Sequence, residues 1–326
     1  MNIEMIRAAQ TRLEGHARRT PLLSSPFLDE VAGRRVLLKA ENLQHTGSFK
    51  FRGGWSAVSA LPGAQRKAGV IAFSSGNHAQ GVALAAREHS STAVIVMPSN
   101  APQTKIDATR ALGAEVVLYD RATEDRKAIG EALASERGLT LIEPFDNAEV
   151  IAGQGTTGLE IADQARDAGV TEAEVLVCCG GGGFTSGIAL ALEAEAPKMR
   201  VRPVEPEGFD DVARSLKSGR REINAAMSGS ICDAIISPQP GEITFPILQR
   251  LCGPGIVVTD AECLHAMAYA FARLKLVLEP GGAAALAGAL FHGDEITGNA
   301  VICTASGGNV DAPMFQRALT EFGDKV

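Results

Sequence analysis

The stretch Glu174-Val175-Leu176-Val177-Cys178-Cys179 runs without interruption into four glycines, Gly180 to Gly183, and then into a small-residue helical segment over 185–195. A strand this apolar, with no alternation, fits a place buried on both faces, the position of an inner strand in a parallel sheet covered by helices. The rest of the chain repeats the theme. Apolar runs at 36–39, 70–73, 93–97, 115–119, 140–142, 200–204 and 300–304 read as strands. Helical segments are expected at 2–16, 79–88, 102–112, 124–136, 147–168, 260–276 and 282–290. Glycines at 153, 155 and 158 are expected to loosen the first half of the 147–168 helix. Residues 218–256 are rich in turns and resist placement. The alternation predicts an α/β fold built on parallel sheets, with two domains sharing an interface that the chain crosses more than once.

In such folds ligands gather outside the carboxyl ends of the strands, and the glycine- and serine-rich clusters at 74–78, 180–183 and 306–308 fall there. Four glycines before a helix can bring several N–H groups onto one phosphate, with the helix N-terminus adding its dipole. A tight turn without ligand and a dinucleotide site are the competing readings. The dinucleotide pattern fails at the glycine five residues on, where Thr185 or Ser186 stands, and no P-loop lysine is present. Ser74-Ser75-Gly76-Asn77-His78 offers hydroxyls, an amide and backbone donors suited to a carboxylate, beyond what simple helix capping needs. Lys50 follows small polar residues, with Phe49 and Phe51 on either side and Gly53-Gly54 behind. It is either a solvated lysine at a helix start or an amine able to act as a base or form a Schiff base. Glu205-Pro206-Glu207-Gly208-Phe209-Asp210-Asp211 is either a solvated acidic turn or a set of oxygen ligands for Mg²⁺ or Ca²⁺.

Composition narrows the classes. A net charge of −7, no long run of like charge and only three Trp and Tyr residues exclude a nucleic-acid surface. No run approaches the ~18 apolar residues of a membrane span, and no signal peptide is read at the N-terminus. Six cysteines without Cys-x-x-Cys spacing predict reduced, buried thiols. A cytoplasmic protein is expected.

The motifs, taken in order, resemble those of fold-type II pyridoxal-phosphate (PLP) enzymes, in the threonine/serine dehydratase and serine racemase branch. Glu41-Asn42-Leu43-Gln44 to Lys50-Phe51-Arg52-Gly53 is similar to the cofactor-lysine motif. Ser74 to Gly81 is similar to the loop for the substrate carboxylate and ring hydroxyl, Gly180 to Gly183 to the phosphate cup, and Ser306 to Asn309 to the pyridine-nitrogen motif. The resemblance implies a two-domain, tryptophan synthase β-like α/β fold, each domain a largely parallel sheet flanked by helices. Residues 1–60 and 147–326 would form a large PLP-binding domain, and 61–146 a small mobile substrate domain. It implies that Lys50 holds PLP, with Phe49 against the ring, Asn77 on the ring hydroxyl, Gly180, Gly181, Gly182 and Gly183 around the phosphate, and Ser306 at the ring nitrogen. Ser74, Ser75, Gly76, Asn77 and His78 would surround the substrate carboxylate. Relatives that bind a divalent cation imply Mg²⁺ or Ca²⁺ held by Glu205, the Phe209 carbonyl and Asp211.

The implied activity is β-elimination from a β-hydroxy amino acid such as L-threonine or L-serine, giving a 2-oxo acid and ammonia. A homodimer is implied as well. Ser75 stands where serine racemases and hydroxyaspartate dehydratases carry serine, as the acid/base on the face opposite the lysine. An amino-acid racemase, and a dehydratase specialised for 3-hydroxyaspartate or phenylserine, are therefore alternatives. A dinucleotide-binding regulatory or redox protein using the glycine cup is the reading from another class. Asp233-Ala234 and Glu279-Pro280-Gly281-Gly282 depart from the usual pattern of relatives and would reshape the substrate pocket.

Overall fold

The computed structural model describes residues 1–74, 76–101, 103–120 and 122–326, without the side chain of Thr104. Its ten strands are β1 (Leu22–Ser24), β2 (Arg35–Lys39), β3 (Val70–Phe73), β4 (Ala93–Pro98), β5 (Glu115–Tyr119), β6 (Thr140–Leu141), β7 (Ala173–Cys178), β8 (Met199–Pro206), β9 (Ile256–Val258) and β10 (Ala300–Thr304). They form two sheets. One has the order β1-β2-β10-β7-β8-β9, parallel except for β1; the other, β5-β4-β3-β6, is wholly parallel.

The apolar run before the four glycines is β7, fully buried between β10 and β8. Its alternate side chains serve two cores. Leu176 packs with Leu38, Val204 and Cys303 beneath the helix Pro280–Phe291. Val175 and Val177 pack with Leu37 and Ile302 beneath the helices Ala148–Asp167 and Gly183–Glu195. The smaller sheet is covered likewise. Ile71, Phe73, Val94 and Val96 face Ile129 and Leu133 of the helix Arg126–Arg137. Val70, Ala72, Ile95 and Met97 face Trp55 and Val58 of the helix Lys50–Ala60.

That helix starts at Lys50 and lies against the helices Asn77–Glu88 and Ala148–Asp167 at backbone contact. A Cβ on Gly81 would stand 2.8 Å from the Lys50 carbonyl oxygen, and one on Gly153 would overlap the Arg52 carbonyl. This corrects the expectation for residues 153–158. The helix Ala148–Asp167 is continuous over 20 residues, and its glycines admit neighbouring backbones, a tertiary gain that outweighs their poor helix propensity.

Directly behind Lys50 lies a balanced set of four charges. Arg52 binds Glu41 through Nη2–Oε1 at 2.8 Å and Nε–Oε2 at 2.8 Å, and binds Glu160 at 2.7 Å; Lys39 also binds Glu160 at 2.6 Å. Burial would raise the Glu41 carboxyl, but the Arg52 charge overrides it and holds that pKa below the ordinary value. The set ties β2, the lysine loop and the helix Ala148–Asp167 together.

The unplaced stretch contains the end of the helix Asp211–Ser218, the helix Thr244–Leu251 and the first residue of β9. Strand β1 and the helices Pro26–Ala32, Gly63–Ala68 and Ala312–Phe322 are further elements that the sequence pattern does not reveal. The segment expected to be helical to 276 is α-helical over Asp260–Tyr269, then widens to a π turn and ends at Lys275 with φ 61°. Pro102, expected to open a helix, lies outside the described residues. All six cysteines are free. No described helix is long and apolar enough to cross a membrane.

Candidate active site

One cavity opens at the carboxyl ends of β3 and β7, between the two sheets. Phe49, Lys50, Ser74, Gly76, Asn77, His78 and Gly180 to Gly183 all border it. Segments far apart in sequence thus meet at one cavity. Ser75 lies outside the described residues.

Lys50 projects from the start of its helix, and its Nζ donates to the Pro144 carbonyl at 2.7 Å. Its ammonium lies 5.2 Å from the centre of the Phe49 ring, which stacks on Phe184 at 3.9 Å. With no carboxylate shifting it, desolvation alone lowers its pKa to about 8. His78 is neutral, its pKa lowered to about 3 by burial and then by the Lys50 charge. Its Nε2 lies 2.9 Å from the Ile142 carbonyl, an obligate acceptor, so Nε2 carries the proton and Nδ1 is an acceptor without a partner among the described residues.

Two helix N-termini converge on the cavity without side-chain caps, those of Asn77–Glu88 and Gly183–Glu195. Their first N–H groups have no partner within the helix and are suited to anions. Gly182 enters the second helix with φ 91°, a conformation that suits glycine. Beside it Thr185 Oγ1 is buried without a hydrogen-bond partner among the described residues.

Ser306, expected at the ring nitrogen, is not among the residues lining the cavity. It is 4% exposed, its N–H donates to the Gly282 carbonyl at 3.3 Å, and its carbonyl accepts from Phe49 N at 3.2 Å. It lies against Cys178, which does line the cavity; burial pushes that thiol's pKa up, and contact with Ser306 partly offsets this.

Glu279, expected only as part of a stretch that reshapes the pocket, has a side chain of its own at the site. It is buried against the cavity, accepts from Asn77 Nδ2 at 2.5 Å, and has its pKa raised to about 7 by burial, opposed by Lys105 and Asn77. Lys105 and Arg126, which the sequence reading missed, line the same cavity. The Arg126 guanidinium sits 5.5 Å from the Phe73 ring. Residues 233–237 complete the wall.

The family model described as "Pyridoxal-phosphate dependent enzyme" matches residues 13–307. This chain belongs to that family. It is 45% identical over 316 residues to an L-threo-3-hydroxyaspartate ammonia-lyase of Pseudomonas sp., covering 97% of each chain. To a serine racemase of Schizosaccharomyces pombe it is 37% identical, covering 97% of this chain and 96% of the relative. Among solved structures, a threonine deaminase of T.th. superposes with a TM-score of 0.90 at 43% identity, over 95% of this chain and 99% of the other. The fold is therefore the fold-type II α/β architecture, and PLP is the family's cofactor. The cavity fits it: uncapped helix N-termini and the orphaned Thr185 hydroxyl suit a phosphate, and a lysine with depressed pKa suits an aldehyde.

Glu205, Phe209 and Asp211 are not among the residues lining this cavity. Glu205 is fully buried and accepts from Val212 N at 2.9 Å and Ala213 N at 2.7 Å. Asp211 accepts from Asn224 Nδ2 at 2.6 Å, while its Oδ2 is buried without a partner among the described residues. Burial, then the Asp211 charge, raises the Glu205 carboxyl; burial raises Asp211 to about 7. No group of three His, Cys, Asp or Glu side chains gathers there among the described residues. Both Glu205 oxygens are thus engaged by backbone N–H groups, and Asp211 Oδ2 is the oxygen of this pair left without a partner among the described residues.

Proposed function

We propose that this chain is a PLP-dependent ammonia-lyase whose preferred substrate is a β-hydroxy amino acid with a second carboxylate, of the L-threo-3-hydroxyaspartate kind. One observation carries the substrate choice: Lys105 and Arg126 border the cavity in addition to Lys50. Threonine and serine carry a single carboxylate, for which the helix N-terminus is already suited, whereas a β-carboxylate would give these cations an anionic partner of its own. The likeness to a hydroxyaspartate ammonia-lyase supports the same choice.

Bound PLP supplies the electron sink for negative charge at the substrate Cα. Lys50 is the residue that would hold it, with Phe49 against the ring, Asn77 at the ring oxygen, the Gly180–Gly183 turn and Thr185 at the phosphate, and Ser306 toward the ring nitrogen. The N–H groups at the start of the helix Asn77–Glu88, with Ser74, hold the α-carboxylate. Once the substrate amine has displaced it from the cofactor, the freed Lys50 Nζ would take the α-proton. Loss of the β-hydroxyl as water leaves an unsaturated amine, which hydrolyses to a 2-oxo acid and ammonia. Pro144 and Phe145 beside Lys50 restrict water. The span 61–146 acts as the mobile substrate domain against 1–60 and 147–326, closing the cavity over substrate. The resemblance to serine racemases would make Ser75 the acid/base opposite the lysine, so Ser75→Ala should remove any racemisation and spare elimination; equal loss of both refutes that role. A homodimer in the cytoplasm completes the reading, with light scattering expected at twice the 34.0 kDa chain mass.

Arg126→Leu tests the substrate choice. A hydrogen bond to a charged group is worth about 1.5–3 kcal/mol, so kcat/KM for L-threo-3-hydroxyaspartate should fall roughly ten- to a hundredfold. The loss toward L-threonine should be much smaller. Equal losses for both substrates refute the second-carboxylate site.

A further inference from the structure

Asn77 is the middle of a chain of side-chain hydrogen bonds that crosses the cavity wall. Asn309 Nδ2 donates to the Thr46 carbonyl at 2.8 Å and to Asn77 Oδ1 at 2.7 Å. Asn77 Nδ2 in turn donates to Glu279 Oε1 at 2.5 Å. The direction of this chain is set at one end only. The Thr46 carbonyl can only accept, so the Asn309 atom facing it is nitrogen, and the second N–H of that amide obliges Asn77 to present its oxygen. Asn77 then turns its nitrogen the other way, where one N–H meets Glu279 and one remains for the cavity. Glu279 could not fix this direction alone, since with a pKa of about 7 it can accept or donate near neutrality.

The backbone is shaped around both ends. Thr46 holds a left-handed φ of 57°, uncommon for a residue other than glycine. A Cβ on Gly47 would stand 2.6 Å from Asn309 Oδ1, and one on Gly307 would overlap Glu279 Oε1. Four segments widely separated in sequence, around 46, 77, 279 and 307–309, thus converge on the orientation of one amide.

We propose that Asn309 is a positioning residue that, by bridging the Thr46 carbonyl and Asn77 Oδ1, fixes the Asn77 amide with its N–H toward the ring oxygen of the cofactor. This rests on the reading of the cavity as a PLP site. Asn309→Asp is nearly isosteric and cannot donate, so Asn77 turns its nitrogen toward position 309 and its oxygen toward the cavity. An acceptor then faces the ring oxygen where a donor stood.

The test is titration of the apoprotein with pyridoxal phosphate, read as the dissociation constant and as the pH midpoint of the bound cofactor's visible band. Asn309→Asp is expected to weaken binding about tenfold and to displace the midpoint. In an Asn77→Ala background the same substitution should have no further effect on either readout. Equal losses with and without Asn77, or unchanged binding in Asn309→Asp, overturn the proposal. Should Asn309→Asp fail to fold, Asn309→Ala, which removes the donor, is carried through the same cycle with the same criteria. Wild-type protein that binds no pyridoxal phosphate overturns the functional reading itself, a result separate from additivity in the cycle.

Discussion

The depressed pKa of Lys50 has a consequence that can be followed by pH alone. With a pKa of about 8, its amine is roughly one-tenth neutral at pH 7, whereas an ordinary lysine near 10.4 is neutral in about one molecule in 2,500. Capture of an aldehyde needs the neutral amine, so Lys50 should react about 250-fold faster at pH 7 than a solvated lysine of equal intrinsic reactivity. The assay is the stopped-flow rate at which the visible band forms when pyridoxal phosphate meets the apoprotein. The rate should rise through pH 8 and level off above pH 9. Stability supplies an independent check. Between pH 8 and 10.4 the unfolded chain binds more protons at this position than the folded one, so folded-state stability rises with pH across that window. Relative to Lys50→Met, wild-type apoprotein should gain up to about 3 kcal/mol there. A capture rate still climbing at pH 10, with no such gain, would refute desolvation as the activating device.

Two further substitutions probe the surroundings. Arg52→Met leaves Glu41 and Glu160 without their shared cation, and breaking a buried pair this way costs about 3–5 kcal/mol; urea denaturation of the apoprotein should register most of it. Mg²⁺ or Ca²⁺ should raise the thermal midpoint of the wild-type protein, a chelator should reverse the rise, and Asp211→Asn should abolish it. A midpoint indifferent to both ions in the wild type counts against the cation site.

Strands β3, β4, β7 and β10 are legible in the sequence because sheets buried on both faces demand unbroken apolar runs. The glycine and serine clusters are legible because they follow those strands, where helix N-termini must point at whatever is bound. Other features are set by contacts that local pattern does not encode. Gly153 reads as a helix weakener until the Arg52 carbonyl is found against it. Strand β9, three residues long, exists because β8 offers it an edge. Lys105 and Arg126 carry no motif; each is an ordinary helix cation until the fold turns it into the cavity. Glu279 stands out in the sequence for the glycines after it, while its carboxylate takes its meaning from Asn77. Ser306, which the motif assigns to the ring nitrogen, is not among the residues lining the cavity, whereas Cys178 in contact with it is.

Lys50 is proposed as the covalent attachment point of the cofactor, and every other role assigned at the cavity depends on it. Borohydride reduction of the PLP-loaded protein, followed by peptide mass mapping, tests it directly. The phosphopyridoxyl group should be found on the peptide containing Lys50 and on no other, and Lys50→Ala should carry none. A label on Lys105 or another lysine, or an unlabelled Lys50 peptide from protein that shows the visible band, would contradict the account.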